Sequence, residues 1–446
     1  ITSRYCFWRF ISASAVGVCD CAKHCELNIE STKIAVVDKK NFFISLFYAV
    51  FYLYARVLNM CYTDFMQIIP VASGKGGVGK SLLSANLAIA LGQAGKKVLL
   101  ADLDLGASNL HLVIGQQPPK VGIGTFLTGQ SRFEDIINPT DYENVSFVAG
   151  DSEIPGLTSL KASQKNELIK NFSHADADYL ILDLGAGTHL TILDMFLLSP
   201  QGIVVTAPTV TATLNGYLFL KNTVFRMMYN TFKRGSAAYN YLESLKKDSE
   251  ALQKFYIPRL VETLEQIDPA SVSLFKNRMS EFRPRLILNM IDDPKDADRA
   301  QKIRRSCQQY LGLNLEHLGI IYRDSMQDKA LASRLPVVVY KPHSVIGQAI
   351  YRIAEKIMQS ETLKFDADYD ITKASEASFE IASEEASDDF SQKMAYIEEL
   401  AGTGALSAGE LAETLKSQQF EITRLRNENN LLKKKLVDAA RQGYKI

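Results

Sequence analysis

Residues 73–81 read Ser-Gly-Lys-Gly-Gly-Val-Gly-Lys-Ser, and no other stretch of the chain constrains its fold as tightly. An apolar run (Ile68, Ile69, Val71, Ala72) precedes the loop and a helical pattern (Leu83, Leu87, Leu91) follows it, so it joins a strand to a helix. Glycines carry no Cβ, which lets successive backbone N–H groups converge on an anion while the following helix points its positive end at the same place. Such a loop cradles phosphates. Gly74, Lys75, Gly76, Gly77, Val78, Gly79, Lys80 and Ser81 are therefore the candidate nucleotide-binding residues. Lys80 stands where an ammonium reaches the β- and γ-phosphates of ATP, and Ser81 where a hydroxyl ligates Mg²⁺. A glycine turn with no nucleotide to hold would not need a Lys-Ser pair at its helix end.

Acids suited to phosphoryl chemistry follow in order. The buried-strand pattern Val98 to Ala101 leads into Asp102-Leu-Asp104-Leu-Gly-Ala-Ser-Asn109. A carboxylate at a strand's C-terminal end holds the water shell of Mg²⁺ or orients the attacking water; Asp102 is assigned the metal side and Asp104 the water. Asp178-Tyr-Leu-Ile-Leu-Asp183 is an apolar strand ending in an acid, the Walker B pattern, which adds Asp183 to the candidate metal residues. Its continuation, Leu-Gly185-Ala-Gly187, permits a mobile switch beside the γ-phosphate. A single acid after an apolar strand is commonplace. Three in this order behind a phosphate loop are a site.

The extra lysine, Lys75, gives the loop a form that resembles the deviant Walker A of the MinD/ParA ATPases. The resemblance implies that Lys75 reaches the nucleotide of a second subunit, which would make ATP binding and homodimerisation one event. It also implies that Asn289, ending the strand Leu286-Ile-Leu-Asn289, recognises adenine, although an Asn at a strand end is also an ordinary turn former. The likeness spans roughly residues 67 to 360 and includes Gly319 to Asp324 and the loop Lys341-Pro342-His-Ser344. The Asp-Leu-Gly-x-x-Asn and Asp-Leu-Gly-Ala-Gly forms are most similar to the MinD and FlhG branch, which places division septa and flagella. A departure falls at Ala207 to Tyr217, where the branch's acidic residues are absent. Pro70, inside the first strand, removes a ladder hydrogen bond.

The expected fold is a layered α/β P-loop NTPase, a mostly parallel sheet flanked by helices, with a helical insertion and a C-terminal coiled coil. The expected division of the chain is an extension over 1–65, an ATPase domain over 66–360 with an insertion at about 222–282, an acidic disordered linker over 361–395, and a C-terminal helix or short coiled coil over 396–446. The extension crowds five of the six cysteines, and three readings compete for it. Cys19, Cys21 and Cys25 with His24 lack paired metal-ligand spacing. Phe42 to Tyr62 is apolar enough for an anchor, but leaves almost no linker before the first strand. The preferred reading is upstream sequence, with translation opening at Met66.

The linker expectation rests on ten acids between 361 and 390 against two lysines. Beyond it Leu415, Ile422, Asn429 and Leu436 alternate with Leu411, Leu425, Leu432 and Ala439 in heptad spacing, with Asn429 favouring a parallel self-pairing zipper. Lys433, Lys434 and Lys435 bring charge for peripheral membrane contact, though no bulky aromatics accompany them. A formal net charge of zero supplies no global attraction to nucleic acid, and the near absence of cysteine after the loop fits a reducing cytoplasm. The function expected is a slow, Mg-dependent ATPase switch that controls flagellar placement or number, recruited to the membrane's inner face or a cell pole by a partner in flagellar or division machinery. Two alternatives stand beside it: a ParA-like DNA partitioning ATPase, using Lys and Arg at 278 to 305, and a scaffold with a degenerate ATPase.

Overall fold

A computed structural model describes residues 66–105, 108–150, 160–246, 256–360 and 371–402, all within one compact unit. Its centre is an eight-stranded sheet of order β3-β4-β2-β5-β1-β6-β7-β8. The strands are β1 (Gln67–Ser73), β2 (Val98–Leu103), β3 (Ile137–Pro139), β4 (Val145–Val148), β5 (Tyr179–Ala186), β6 (Ile203–Thr206), β7 (Arg285–Ile291) and β8 (Glu316–Tyr322). Only β3 runs antiparallel, to β4. β2, β5 and β6 are near-continuous apolar runs because helices cover both faces of a parallel sheet.

The longer helices are α1 (Lys80–Gln93), α2 (Ala162–Phe172), α3 (Leu190–Phe196), α4 (Val210–Thr231), α5 (Ala237–Lys246), α6 (Ile257–Ile267), α7 (Pro269–Glu281), α8 (Ala297–Ser306), α9 (Val345–Ser360) and α10 (Ile371–Gly402). Alternation along each strand sorts the core in two. Ile69, Leu100, Ile181 and Val205 face the side of α1 and α9, whereas Leu99, Leu180, Leu182 and Val204 face the side that receives α3, α4, α7 and α8. The run between α4 and β7 holds α5, α6 and α7, closed by Leu242, Leu260, Leu264, Val272 and Phe275, all buried.

Pro70 is tolerated for a register reason. The Gln67 N–H donates to the Asp178 carbonyl, so residues 67, 69 and 71 turn their polar groups to β5 and residue 70 turns its own to β6. Pairing with β6 starts only at Val71. The missing N–H of proline therefore falls outside the ladder.

The acidic stretch departs from expectation. Residues 371–402 form one helix, α10, laid along the edge strand β8, so the reading of 371–395 as a disordered linker is corrected. Ser375, Phe379, Ala382, Ala386 and Asp389 are buried at helical spacing, a stripe of mostly small residues that overall composition hides. Three of the acids are partnered: Glu376 with Arg304, Glu385 with Lys356, and Asp389 with Arg352. Tyr322 adds a hydroxyl bond to the Ala386 carbonyl. Covering β8 removes an exposed strand edge. Residues 361–370, the zipper at 411–439 and the three readings of 1–65 lie outside the described residues.

Candidate functional site

β1, β2, β5 and β7 all end at one pole of the sheet, where the phosphate loop leaves β1. The loop is locked by contacts that forbid side chains. A Cβ on Gly74 would lie 2.0 Å from the Asn215 carbonyl oxygen, so α4 packs directly on the loop's backbone. Gly79 has φ of +82° and a Cβ there would meet Asn289 Nδ2 at 2.3 Å. Only glycine satisfies both demands. Val78 anchors the loop from below, buried among the residues on the α1 side.

Lys80 opens α1 and Ser84 follows one turn later on the same face, both turned toward the end of β5. Lys80 Nζ donates to Asp183 Oδ1 at 2.7 Å, and the Ser84 hydroxyl to the same oxygen at 3.1 Å. Both ionic partners are buried, at 7% and 1% side-chain exposure. Asp183 Oδ2 is buried without a partner, a lone carboxylate oxygen at the place where a cation would be held. The Ser81 hydroxyl is the next polar group, at 3.4 Å from Lys80 Nζ.

Asp102 and Asp183 face each other in register on neighbouring strands. Burial first, and then the charge of Asp183, push the Asp102 carboxyl up to about 6, while bonds from the Ser108 hydroxyl and the Asp104 and Leu110 N–H groups pull it down. Two adjacent buried carboxylates are costly together unless a cation joins them. Asp104, half-buried, lies one step beyond, and a Cβ on Gly185 would come within 3.2 Å of its Oδ1. The structure thus brings Asp104 against the Gly185–Gly187 turn, whose Gly187 N–H bonds the Ser73 carbonyl at the loop's entrance.

Lys75 stands apart from this buried set. It is exposed, and its Nζ donates to Thr211 Oγ1 at 3.0 Å. Asn289 is 7% exposed and spends its amide on the loop: Nδ2 donates to the Val78 carbonyl at 2.9 Å and Oδ1 accepts from the Met290 N–H. That bond makes it a brace for the loop, a role the sequence did not suggest. Ser84, Ser108 and Thr211 were likewise missed. Ser84 was findable from its one-turn spacing to Lys80, whereas Thr211 meets Lys75 only through tertiary packing.

The residues fit a nucleotide with its magnesium ion. Backbone N–H groups of 76–81 with Lys80 would hold the phosphates, and Ser81, Asp102 and Asp183 the cation side; when bound, the ion neutralises charge on the transferring phosphoryl group. Fold and site together define a P-loop NTPase.

Residues 64–218 match the ParA family model, described as NUBPL iron-transfer P-loop NTPase. The flagellum site-determining protein YlxH of Helicobacter pylori is 31% identical over 169 residues, covering 35% of this chain and 53% of its own length. The antiactivator FleN of Pseudomonas aeruginosa is 28% identical over 297 residues, covering 66% of this chain and 86% of its own. The chain thus spans about half of YlxH and most of FleN. Among solved structures, the septum site-determining protein MinD from Pyrococcus horikoshii, complexed with Mg-ADP, is 23% identical, covers 67% of this chain and 98% of its own, and has a TM-score of 0.46. Over residues 64–218 the chain is thus similar to the ParA-family P-loop NTPases, with YlxH, FleN and MinD proteins among its relatives.

Proposed function

We propose that this protein is a Mg·ATP-dependent dimerisation switch that controls where or how many of an assembly, such as the flagellum, are built. The observation that carries the reading is the division of labour between two lysines. Lys80 is buried on Asp183 inside its own site, while Lys75 lies exposed on the loop's outer side, free of the buried ion network and in a position to serve a second subunit. Asp104 holds and orients the attacking water, and the Gly185–Gly187 turn lets the adjoining segment follow the γ-phosphate. Slow hydrolysis then resets the dimer. The name of YlxH, a flagellum site-determining protein, supports the flagellar choice.

The DNA-partitioning reading is weakened at its proposed contact surface. Within 278–305, Arg285 and Arg304 are buried and bonded to Glu316 and Glu376, and Asp292, Asp293, Asp296 and Asp298 interrupt the rest. An iron-carrier reading meets Cys307, which is fully buried with its thiol pushed upward by that burial. Among the described residues no helix is long and apolar enough to cross a membrane.

The test pairs ATP turnover and ATP-dependent mass in solution with imaging of a fluorescent fusion. Wild type should dimerise on ATP and turn it over; Asp104→Ala should stay dimeric and fall at least ~100-fold in turnover. Lys80→Ala should do neither. Foci at a pole or flagellar base that persist in the Asp104 variant and vanish in the Lys80 variant support placement control. A coat over the nucleoid would replace it by the partitioning reading, and no turnover in wild type would leave the scaffold.

A further inference from the structure

β7 breaks its own ladder beside the phosphate loop. Asn289 pairs with Ile321 and Ile291 with Tyr322, so Met290 is one residue too many, a bulge in a parallel pair, where bulges are rare. Its φ is +61°. A left-handed backbone brings the Cβ too close to the following carbonyl, which is why glycine, and now and then asparagine, holds such positions. Among the described residues the other non-glycines with positive φ are Asn144 and Arg334, and neither stands in a strand. Methionine here carries strain that glycine would not.

The side chain has a use for that backbone. Met290 Cε stands 3.3 Å from the point that a Cβ on Gly79 would occupy, so the methyl fills the space the glycine leaves open. The residue is half-buried, and an unbranched thioether suits an irregular gap. Asn289 acts on the same turn: its Nδ2 is 2.3 Å from that point and donates to the Val78 carbonyl. Its Oδ1 accepts the Met290 N–H at 2.9 Å, which occupies the donor that the bulge takes out of the ladder. Gly79 in turn caps α1, its carbonyl accepting the Leu83 N–H at 3.0 Å. Lys80 comes next, so whatever fixes Gly79 also fixes where α1 starts and where its ammonium stands.

Resting on the reading of the loop as a nucleotide site, we infer that Met290 is a positioning residue. Its strained bulge turns the thioether onto Gly79 and holds the left-handed turn closed before a nucleotide arrives. A loop ordered in advance loses less entropy on binding. Met290 needs no contact with the nucleotide to do this.

Three variants separate side chain from backbone. Met290→Ala keeps the strain and loses the methyl, Met290→Gly loses both, and Met290→Leu keeps both. Affinity for a fluorescent ATP analogue should fall at least ~5-fold in the Ala and Gly variants and stay within about two-fold of wild type in the Leu variant. Melting temperature should take a different order, higher in Met290→Gly than in Met290→Ala, because glycine relieves the left-handed residue. In nucleotide-free protein, hydrogen exchange at the Leu83 amide should quicken in both truncations. Affinity that follows melting temperature, with Met290→Gly regaining wild-type binding, would leave Met290 a merely structural residue and overturn the inference. So would wild-type affinity in both truncations. Should wild type itself not bind the analogue, the nucleotide reading falls alone, and the exchange comparison still decides: quickening in both truncations supports Met290 as the residue that holds the turn, and unchanged exchange overturns it.

Discussion

Single contacts decide whether the phosphate loop can form. Because a Cβ at Gly74 would sit 2.0 Å from the Asn215 carbonyl, Gly74→Ala should push the loop off α4. Affinity for a fluorescent ATP analogue should fall more than ~10-fold, and an unchanged affinity would show that α4 yields. Asn289→Ala removes the donor to the Val78 carbonyl and should cost about 1–2 kcal/mol in urea unfolding. Asp102 makes a pH prediction. Its carboxyl is raised by burial and Asp183, so the folded state holds the proton more tightly than the unfolded chain does. The penalty is absent below about pH 4, where both states are protonated, grows as pH rises through about 6, and is complete above that. In metal-free protein, the loss of melting temperature between about pH 5 and 7.5 should therefore shrink in Asp102→Asn. If the loss is as large as in wild type, the titration belongs to another group.

At the scale of elements, the loop, the Walker B strand and the acids behind β2 were legible because each is a local pattern with a local job. α10 was not. Its buried face is Ser375, Phe379, Ala382 and Ala386, too weakly apolar to stand out among the acids, and those acids are stabilising only because Arg304, Arg352 and Lys356 wait on α8 and α9. Among the residues of α10 whose burial is described, Phe379 is the one large apolar side chain buried, in edge contact with His317 at 4.7 Å between ring centroids. Phe379→Ala should cost about 3 kcal/mol in denaturant unfolding, while Ile381→Ala, exposed at 49%, should stay within about 0.5 kcal/mol. Equal effects of the two would mean that α10 does not pack on β8.

Across the whole molecule, α10 runs alongside β8 from Ser375 at the Leu315 carbonyl to Lys393 at the Arg323 carbonyl. It therefore carries the chain from the pole where β8 begins to the nucleotide pole. Gly402, at the end of α10, thus lies toward the pole that holds the phosphate loop, where the dimer proposed above would form. Cysteine at position 397 on α10 should cross-link between subunits more readily with ATP than without it in the Asp104→Ala background. Cross-linking that ignores ATP would separate the C-terminal segment from the switch.

The sequence by itself determined the phosphate loop, the order of the acids and the alternation that makes a parallel sheet, because glycine geometry, charge and period are properties of neighbouring residues. Only the tertiary structure decided that Asn289 braces the loop, that Lys75 rests on Thr211, that Pro70 falls beside an unpaired ladder and that an acidic stretch becomes a packed helix. Each of these depends on a partner far away in the chain, and a residue's partner is set by the fold.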